Sequence, residues 1–341
     1  MKTELLPANE AGIQKAVDLE RQGEIVAIPT ETVYGIAADA TNGEAVKKIF
    51  EAKGRPQDNP LIVHIGDLAM AEGLVSEIPL RAKKLAAAFW PGPMTIIMPR
   101  GPRVCDEVCA GLNSVGIRMP SHPVIREFFR LGGAPFAAPS ANLSGSPSPT
   151  NAQDVLADMN GRLPLILDGG ESPVGVESTV ISVVGEQPIL LRPGYITKEQ
   201  LEAALGEPVL LSPAILEKLK EGERPRSPGM KYKHYAPKAN ITILKGDLDR
   251  FASYVADKSR QEPDVWCLCF DGEQAKLPVP CVTYGVQGDG ASQAHDLFRS
   301  LRELDEKGAK TVYARCPEMD GVSMAVYNRL IRAAAFRVVE L

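Results

Sequence analysis

Nowhere in the 341-residue chain is there a run of 18 apolar residues, so no helix is expected to span a bilayer. Met1 to Gln14 lack an apolar stretch and a small-residue cleavage site, so no export signal is expected and a cytoplasmic location is. Cysteine is scarce. The six, at 105, 109, 267, 269, 281 and 316, are too few for a disulfide scaffold at this length, which points to reduced thiols. Cys105 and Cys109 have no second Cys or His pair at finger spacing, so no protein-held metal is expected. Positive charge is not in surplus either. A net charge of −5 and a pI near 5.6 exclude a protein whose main task is coating nucleic acid, while leaving room for a local basic cleft.

What is present is an alternation of short apolar runs and amphipathic stretches, without repeats or low-complexity segments. With 44% apolar and 24% charged residues the composition is that of an ordinary globular protein. The length exceeds one comfortable core, so two domains are expected. A helix over 13–21 leads into the buried run Ile25 to Ile28, closed by Pro29. Ala45, Val46, Ile49, Phe50 and Ala52 keep helical spacing over 43–53, and Leu61 to Ile65 returns to strand with one polar residue, His64. Further helices are expected over 80–89, stopped by Trp90-Pro91-Gly92-Pro93, and over 123–131, stopped by Gly132-Gly133. Strands are expected at 95–98, 115–119, 135–138, 165–167, 179–184 and 189–191. Thr150 with Gln153, and Thr197 with Gln200, read as capping boxes of two more helices.

This rhythm predicts an α/β domain over 1–206. Proline and glycine over 208–237 mark an extended linker (207–239 in all) with a short charged helical piece at 216–221. Over 240–341 a second alternation predicts a smaller, doubly wound, Rossmann-like α/β domain. Its strands fall at 241–244, 265–270, 282–284 and 311–314. That half has neither GxGxxG nor GxxxxGK[ST], so a scaffold or partner-docking role is its reading.

Chemistry is densest from Pro29 to His64. Hydroxyls on Thr30 and Thr32 follow the first buried run, where the carboxyl end of a strand opens into a cleft. Lys53 and Arg55 flank Gly54 and precede Pro56, placing two cations on a chain that cannot stay helical. Arginine offers a fork to phosphate and lysine a point charge, which suits a polyanion. Taken alone, Lys-x-Arg reads first as a solvated surface pair, since surface charge is the default. Downstream, Ser114, Arg118, Ser140, Asn142, Ser148, Glu177, Ser178, Thr179 and Arg192 stand beside or just after expected strands. Each alone also reads as a turn or surface residue.

Together these pieces carry a resemblance. Pro-Thr-Glu-Thr-x-Tyr-Gly at 29–35, Lys-x-Arg at 53–55 and Asn-Pro-Leu at 59–61 resemble the YrdC-type domain of L-threonylcarbamoyladenylate synthases. So do Ser-Ala-Asn at 140–142, Pro-Ser-Pro-Thr at 147–150, Gly-Val-Glu-Ser-Thr at 175–179 and Leu-Arg-Pro-Gly at 191–194. Ser-Pro-Gly-Met-Lys-Tyr-Lys-His-Tyr-Ala-Pro at 227–237 is similar to the linker of the long, two-domain members. The fold implied is a YrdC-like twisted mixed sheet with helices, plus the smaller domain.

The resemblance implies a reaction: L-threonine, bicarbonate and ATP give L-threonylcarbamoyl-AMP and pyrophosphate. A downstream threonylcarbamoyl-transferring machinery then modifies tRNA next to the anticodon, so tRNA is an indirect partner. On this reading Lys53 and Arg55 are the catalytic cations and bind ATP phosphates with Arg192. Asn59, Ser114, Ser140, Asn142 and Ser148 are further ATP contacts. Arg118 clamps the threonine carboxylate, and Thr32, His64, Ala138 and Ser178 shape the amino-acid pocket. Mg²⁺ is expected with the triphosphate, held mostly by phosphate oxygens and water. The linker segment 227–237 is expected to act as a lid, with Tyr235 touching ATP.

Two other readings share the domain type. A module binding double-stranded RNA would use the same cations as phosphate contacts, against the acidic net charge. A carbamoyl-transfer enzyme would bring acylphosphatase and zinc-finger-like domains, which are not visible in the sequence.

Overall fold

The computed structural model describes residues 2–217 and 235–341, and divides the chain into Met1–Ser144 with Ser148–Lys231, and Gly145–Pro147 with Tyr232–Leu341. In the first unit the apolar runs become β1 (Glu4–Pro7), β2 (Val26–Ile28), β3 (Gly35–Asp39), β4 (Ile62–His64), β5 (Met94–Pro99) and β6 (Ser114–Arg118). The series continues with β7 (Phe136–Ala137), β8 (Leu165–Asp168), β9 (Thr179–Ser182), β10 (Ile189–Arg192) and β11 (Leu210–Leu211). They form one mixed sheet in the order β1-β8-β2-β3-β7-β4-β6-β5-β9-β10-β11. Val63, Ile96, Ile117 and Ile181 alternate onto the face that buries the main core, against the helices Gly43–Lys53, Leu80–Phe89 and Ala152–Met159. A second cluster, built on Ile13, Val17, Ile28, Phe128 and Phe136, seats Glu10–Arg21 and Pro123–Arg130.

Local chemistry explains most of these boundaries. Asn9 and Asn42 cap their helices by accepting from Gly12 N and Ala45 N. The helix Gly43–Lys53 ends because Gly54 takes a left-handed turn (φ 61°), which glycine adopts without cost. The capping box of Thr197 and Gln200 forms as the spacing predicts. Thr150 does not cap its helix. Asn151 does, accepting from Asp154 N, while the Thr150 carbonyl is held by Ser172 N. Three strands of this unit have no counterpart in the sequence reading, β3 and the two edges β1 and β11, the last lying where a linker was expected. Gly-Ile-Ala-Ala-Asp is short and small-sided, carrying little strand propensity of its own. The charged helical piece expected at 216–221 lies largely outside the described residues; before it stands a 3₁₀ turn, Pro213–Ile215.

The second unit holds β12 (Asn240–Lys245), β13 (Val265–Cys269), β14 (Cys281–Thr283), β15 (Thr311–Arg315) and β16 (Val338–Glu340). All pairs are parallel, in the order β14-β13-β15-β12-β16. Parallel strands need crossovers, and the helices Leu248–Ser259, Gly290–Glu306 and Ser323–Ala333 supply three of the four, while β13 to β14 runs through the 3₁₀ turn Gln274–Lys276. This is the doubly wound pattern expected there, with β16 as an unforeseen edge. Among the described residues no helix is long and apolar enough to cross a membrane.

Candidate active site

Strand register builds the site. His64 on β4 lies opposite Arg118 on β6, and Arg118 opposite Thr95 on β5. Thr95 lies opposite Val180 on β9, which in turn faces Arg192 on β10 beside a register shift. Cross-strand partners point to the same face. His64, Arg118, Thr95 and Arg192 therefore form a polar row on the face away from the main core, each 7% exposed or less. Ser178, just ahead of β9, closes it. Its hydroxyl lies 2.8 Å from Thr95 Oγ1 and accepts from Arg192 Nη2 at 3.1 Å, while its carbonyl accepts from Arg192 Nε. Gly194 permits this packing, since a Cβ there would fall 2.4 Å from Thr179 N.

The irregular segment 29–34 crosses this row, and three loops satisfy its backbone. Val174 N and Gly175 N donate to the carbonyls of Glu31 and Thr32, Tyr34 N donates to Pro149, and Ala141 N donates to Tyr34. Thr30 Oγ1 donates to Val33 O and lies 2.8 Å from Thr32 Oγ1. Thr32 Oγ1 accepts from Arg118 Nη1 at 2.9 Å. Arg118 Nη2 stands 2.7 Å from Glu31 Oε1, an ion pair at contact distance whose angles fall outside those of a hydrogen bond. Burial pushes the Glu31 carboxyl up, but Arg118 and backbone N–H groups outweigh it and leave it below its usual range. Burial, and then the Arg118 charge, drive His64 well below the ordinary imidazole value. His64 is thus neutral at pH 7. Its Nδ1 lies 3.2 Å from Ile62 O, which makes Nδ1 the protonated nitrogen and Nε2 an acceptor. The ring stacks on Phe136 with centroids 5.1 Å apart.

The other cations sit on the loops. Lys53, the last residue of its helix and 2% exposed, donates to the carbonyls of Ser140 and Asn142. Ser140 Oγ donates to Asn142 Oδ1, whose Nδ2 donates to Leu143 O. Lys53, Ser140 and Asn142 are therefore one cluster. Arg55 Nη2 reaches the carbonyls of Asn59 and Pro60, both at 3.4 Å. The Asn59 side chain is 1% exposed, and neither polar atom has a partner among the described residues. An amide left this way costs about 1 to 3 kcal/mol, which a bound ligand would relieve. Ser148 Oγ donates to Glu177 Oε1 at 2.5 Å, both groups being buried.

The remaining candidates are placed as follows. Ala138 directs a small side chain beside the row and gives its N–H to Ile62 O. Ser114 opens β6, four residues from Arg118, and so stands roughly 13 Å away along the strand. It lines a small cavity with Pro60, Leu112 and Thr95, the last a member of the row. Tyr235, in the second unit, has φ 61° and packs on Phe298 at 5.2 Å. Residues 227–234 of the expected lid lie outside the described residues. Glu31 and Thr95 were not singled out in the sequence. Glu31 stands within a quoted motif, but Thr95 is hidden in an apolar run, and only the register reveals it.

Three comparisons bear on this arrangement. A family model described as "Telomere recombination" matches residues 18–194, and one described as "Threonylcarbamoyl-AMP synthase, C-terminal domain" matches residues 196–335. The threonylcarbamoyl-AMP synthase of Bacillus subtilis is 44% identical over 99% of this chain and 97% of its own. That of Pyrococcus abyssi is 41% identical over 96% of each. The crystal structure of P. abyssi Sua5 complexed with L-threonine superposes with a TM-score of 0.92 at 38% identity, covering 99% of this chain and 100% of that one.

Proposed function

The chain belongs to the threonylcarbamoyl-AMP synthase family and is an enzyme of that activity, and on that premise we propose how its residues divide the reaction. The observation that carries the proposal is the buried row His64–Arg118–Thr95–Arg192, with its hydroxyls and one paired carboxylate. Threonine binds at the Arg118 end, its carboxylate on the guanidinium that Glu31 and Thr32 hold in place. The threonine hydroxyl donates to the bare Nε2 of neutral His64, and Ala138 and Ser178 wall the pocket. A threonine-bound relative of the same fold supports this end of the assignment.

ATP lies over the loops. Lys53, Arg55 and Arg192 meet its phosphates; Asn59, Ser114, Ser140, Asn142 and Ser148 make further contacts. The orphaned Asn59 amide supports this half. The threonine amine and bicarbonate form a carbamate with loss of water, and a carbamate oxygen attacks the α-phosphate as its bond to pyrophosphate breaks. The protein supplies position and neutralises spreading negative charge, with no side chain as nucleophile. Among the described residues no group of three His, Cys, Asp or Glu suits a metal ion. Mg²⁺ would accompany the triphosphate and neutralise its oxygens, held mostly by phosphate and water. The product passes to a transferring machinery that modifies tRNA, and the cytoplasm is the proposed workplace. Incubation with L-threonine, ATP and labelled bicarbonate tests this reading: a labelled adenylate and equal pyrophosphate are expected, and ATP turnover without threonine dependence would overturn it.

A further inference from the structure

The second unit holds three of the six cysteines on two neighbouring strands. Cys267 on β13 and Cys281 on β14 are register partners on neighbouring parallel strands. Strands lie about 4.8 Å apart, inside the roughly 4.4–6.8 Å over which a disulfide bridges two Cα atoms. Cys269 lies two residues further along β13, which places its Cα about 8 Å from that of Cys281, beyond the reach of a bridge without backbone movement. Cys267 and Cys281 share a face, packed with Leu244, Phe251 and Tyr313. β14 is an edge strand, and Cys281 is half-buried where Cys267 and Cys269 are fully buried. The Cys281 thiol donates to Val279 O at 3.1 Å, and the Cys267 and Cys269 thiols beside it hold it below its ordinary range, the direction that favours the nucleophilic thiolate.

We propose that Cys281 and Cys267 are a peroxide-reactive pair that closes into a disulfide between β14 and β13. The Cys281 thiolate attacks one oxygen of a hydroperoxide. The O–O bond breaks, the second oxygen leaves with a proton as water or an alcohol, and the sulfur becomes a sulfenic acid. The Cys267 thiol attacks that sulfur. The S–S bond forms, the S–O bond breaks, and hydroxide leaves as water with the Cys267 proton. The peroxide gains two electrons and the two thiols lose them. The bond encloses the connection from Leu268 to Pro280, which carries Glu273, the buried partner of Arg315 at 3.1 Å.

The test treats the full-length protein with hydrogen peroxide, alkylates the remaining thiols under denaturing conditions, and maps peptides by mass spectrometry. The expected result is a Cys267–Cys281 cross-linked peptide that disappears with a thiol reductant, while Cys105 and Cys316 stay alkylated. Cys281→Ser and Cys267→Ser should abolish the cross-link, and Cys269→Ser should keep it. A Cys269–Cys281 bridge, Cys281 oxidised to sulfinic acid without a bridge, or Cys105 oxidised as readily would overturn the proposal. Should a serine variant fail to fold, the peptide map of the unaltered protein still decides.

Discussion

Arg118→Ala separates the two tasks that Arg118 is assigned, holding Glu31 and binding substrate. The guanidinium is almost fully buried, stands 2.7 Å from the Glu31 carboxylate, and donates to Thr32 Oγ1 and, at 3.4 Å, to Gly92 O. Its removal leaves a carboxylate buried without its counter-ion, which costs about 3 to 5 kcal/mol of stability. Burial is the largest influence on Glu31, so without Arg118 its carboxyl should shift upward. Threonine affinity should fall by roughly 100-fold or more, from loss of a charge-assisted, desolvated contact. The double variant Arg118→Ala/Glu31→Gln tells the effects apart. With the stranded charge gone, most of the stability returns, whereas the carboxylate clamp does not. Urea unfolding measures the first and titration calorimetry with L-threonine the second. Threonine affinity recovered in the double variant, or a stability loss in Arg118→Ala under about 1 kcal/mol, would refute the reasoning.

Arg55→Ala should lower adenylate formation by roughly 100- to 1000-fold with an unchanged circular dichroism spectrum, and near-normal turnover would contradict a phosphate role. Serine, which lacks only a methyl group, should lose roughly 10- to 200-fold in kcat/KM, while valine should fare worse because it leaves His64 Nε2 without its donor; competition assays rank the three. Glu20 is buried with its Oε2 accepting from Ala134 N, and burial pushes its carboxyl from 4.5 up to about 8. The stability tied to its proton is complete below 4.5 and lost as the pH rises through about 8, so urea midpoints should fall across that window in the native protein and less in Glu20→Gln.

The sequence discloses what is local. Lys53 and Arg55 were legible because a helical spacing ends at Gly54 and Pro56, and Thr197 with Gln200 because a capping box is a short-range pattern. The helix starting at Ala152 shows the limit of such patterns. Thr150 and Asn151 are both competent caps, and a long-range bond from Ser172 decides between them. The polar row depends on β7-β4-β6-β5-β9-β10 lying side by side, a pairing that no single strand encodes. Thr95 looks like one more residue of an apolar run until Arg118 and Ser178 are found beside it. The motifs named the reaction, and the register says which residues meet.

The central claim is that Arg118, held by Glu31 and Thr32 beside a neutral His64, receives the threonine that becomes the carbamate. The most direct measurement is isothermal titration of the intact protein with L-threonine across pH 5.5 to 8. It should be paired with formation of labelled adenylate from bicarbonate over the same range. With His64 held well below 6.5 and Glu31 ionised, binding should stay flat through that range, and every molecule of labelled adenylate should require bound threonine. Affinity that changes steeply near pH 6.5, the mark of a titrating imidazole, would contradict the account, as would labelled adenylate formed when threonine is omitted.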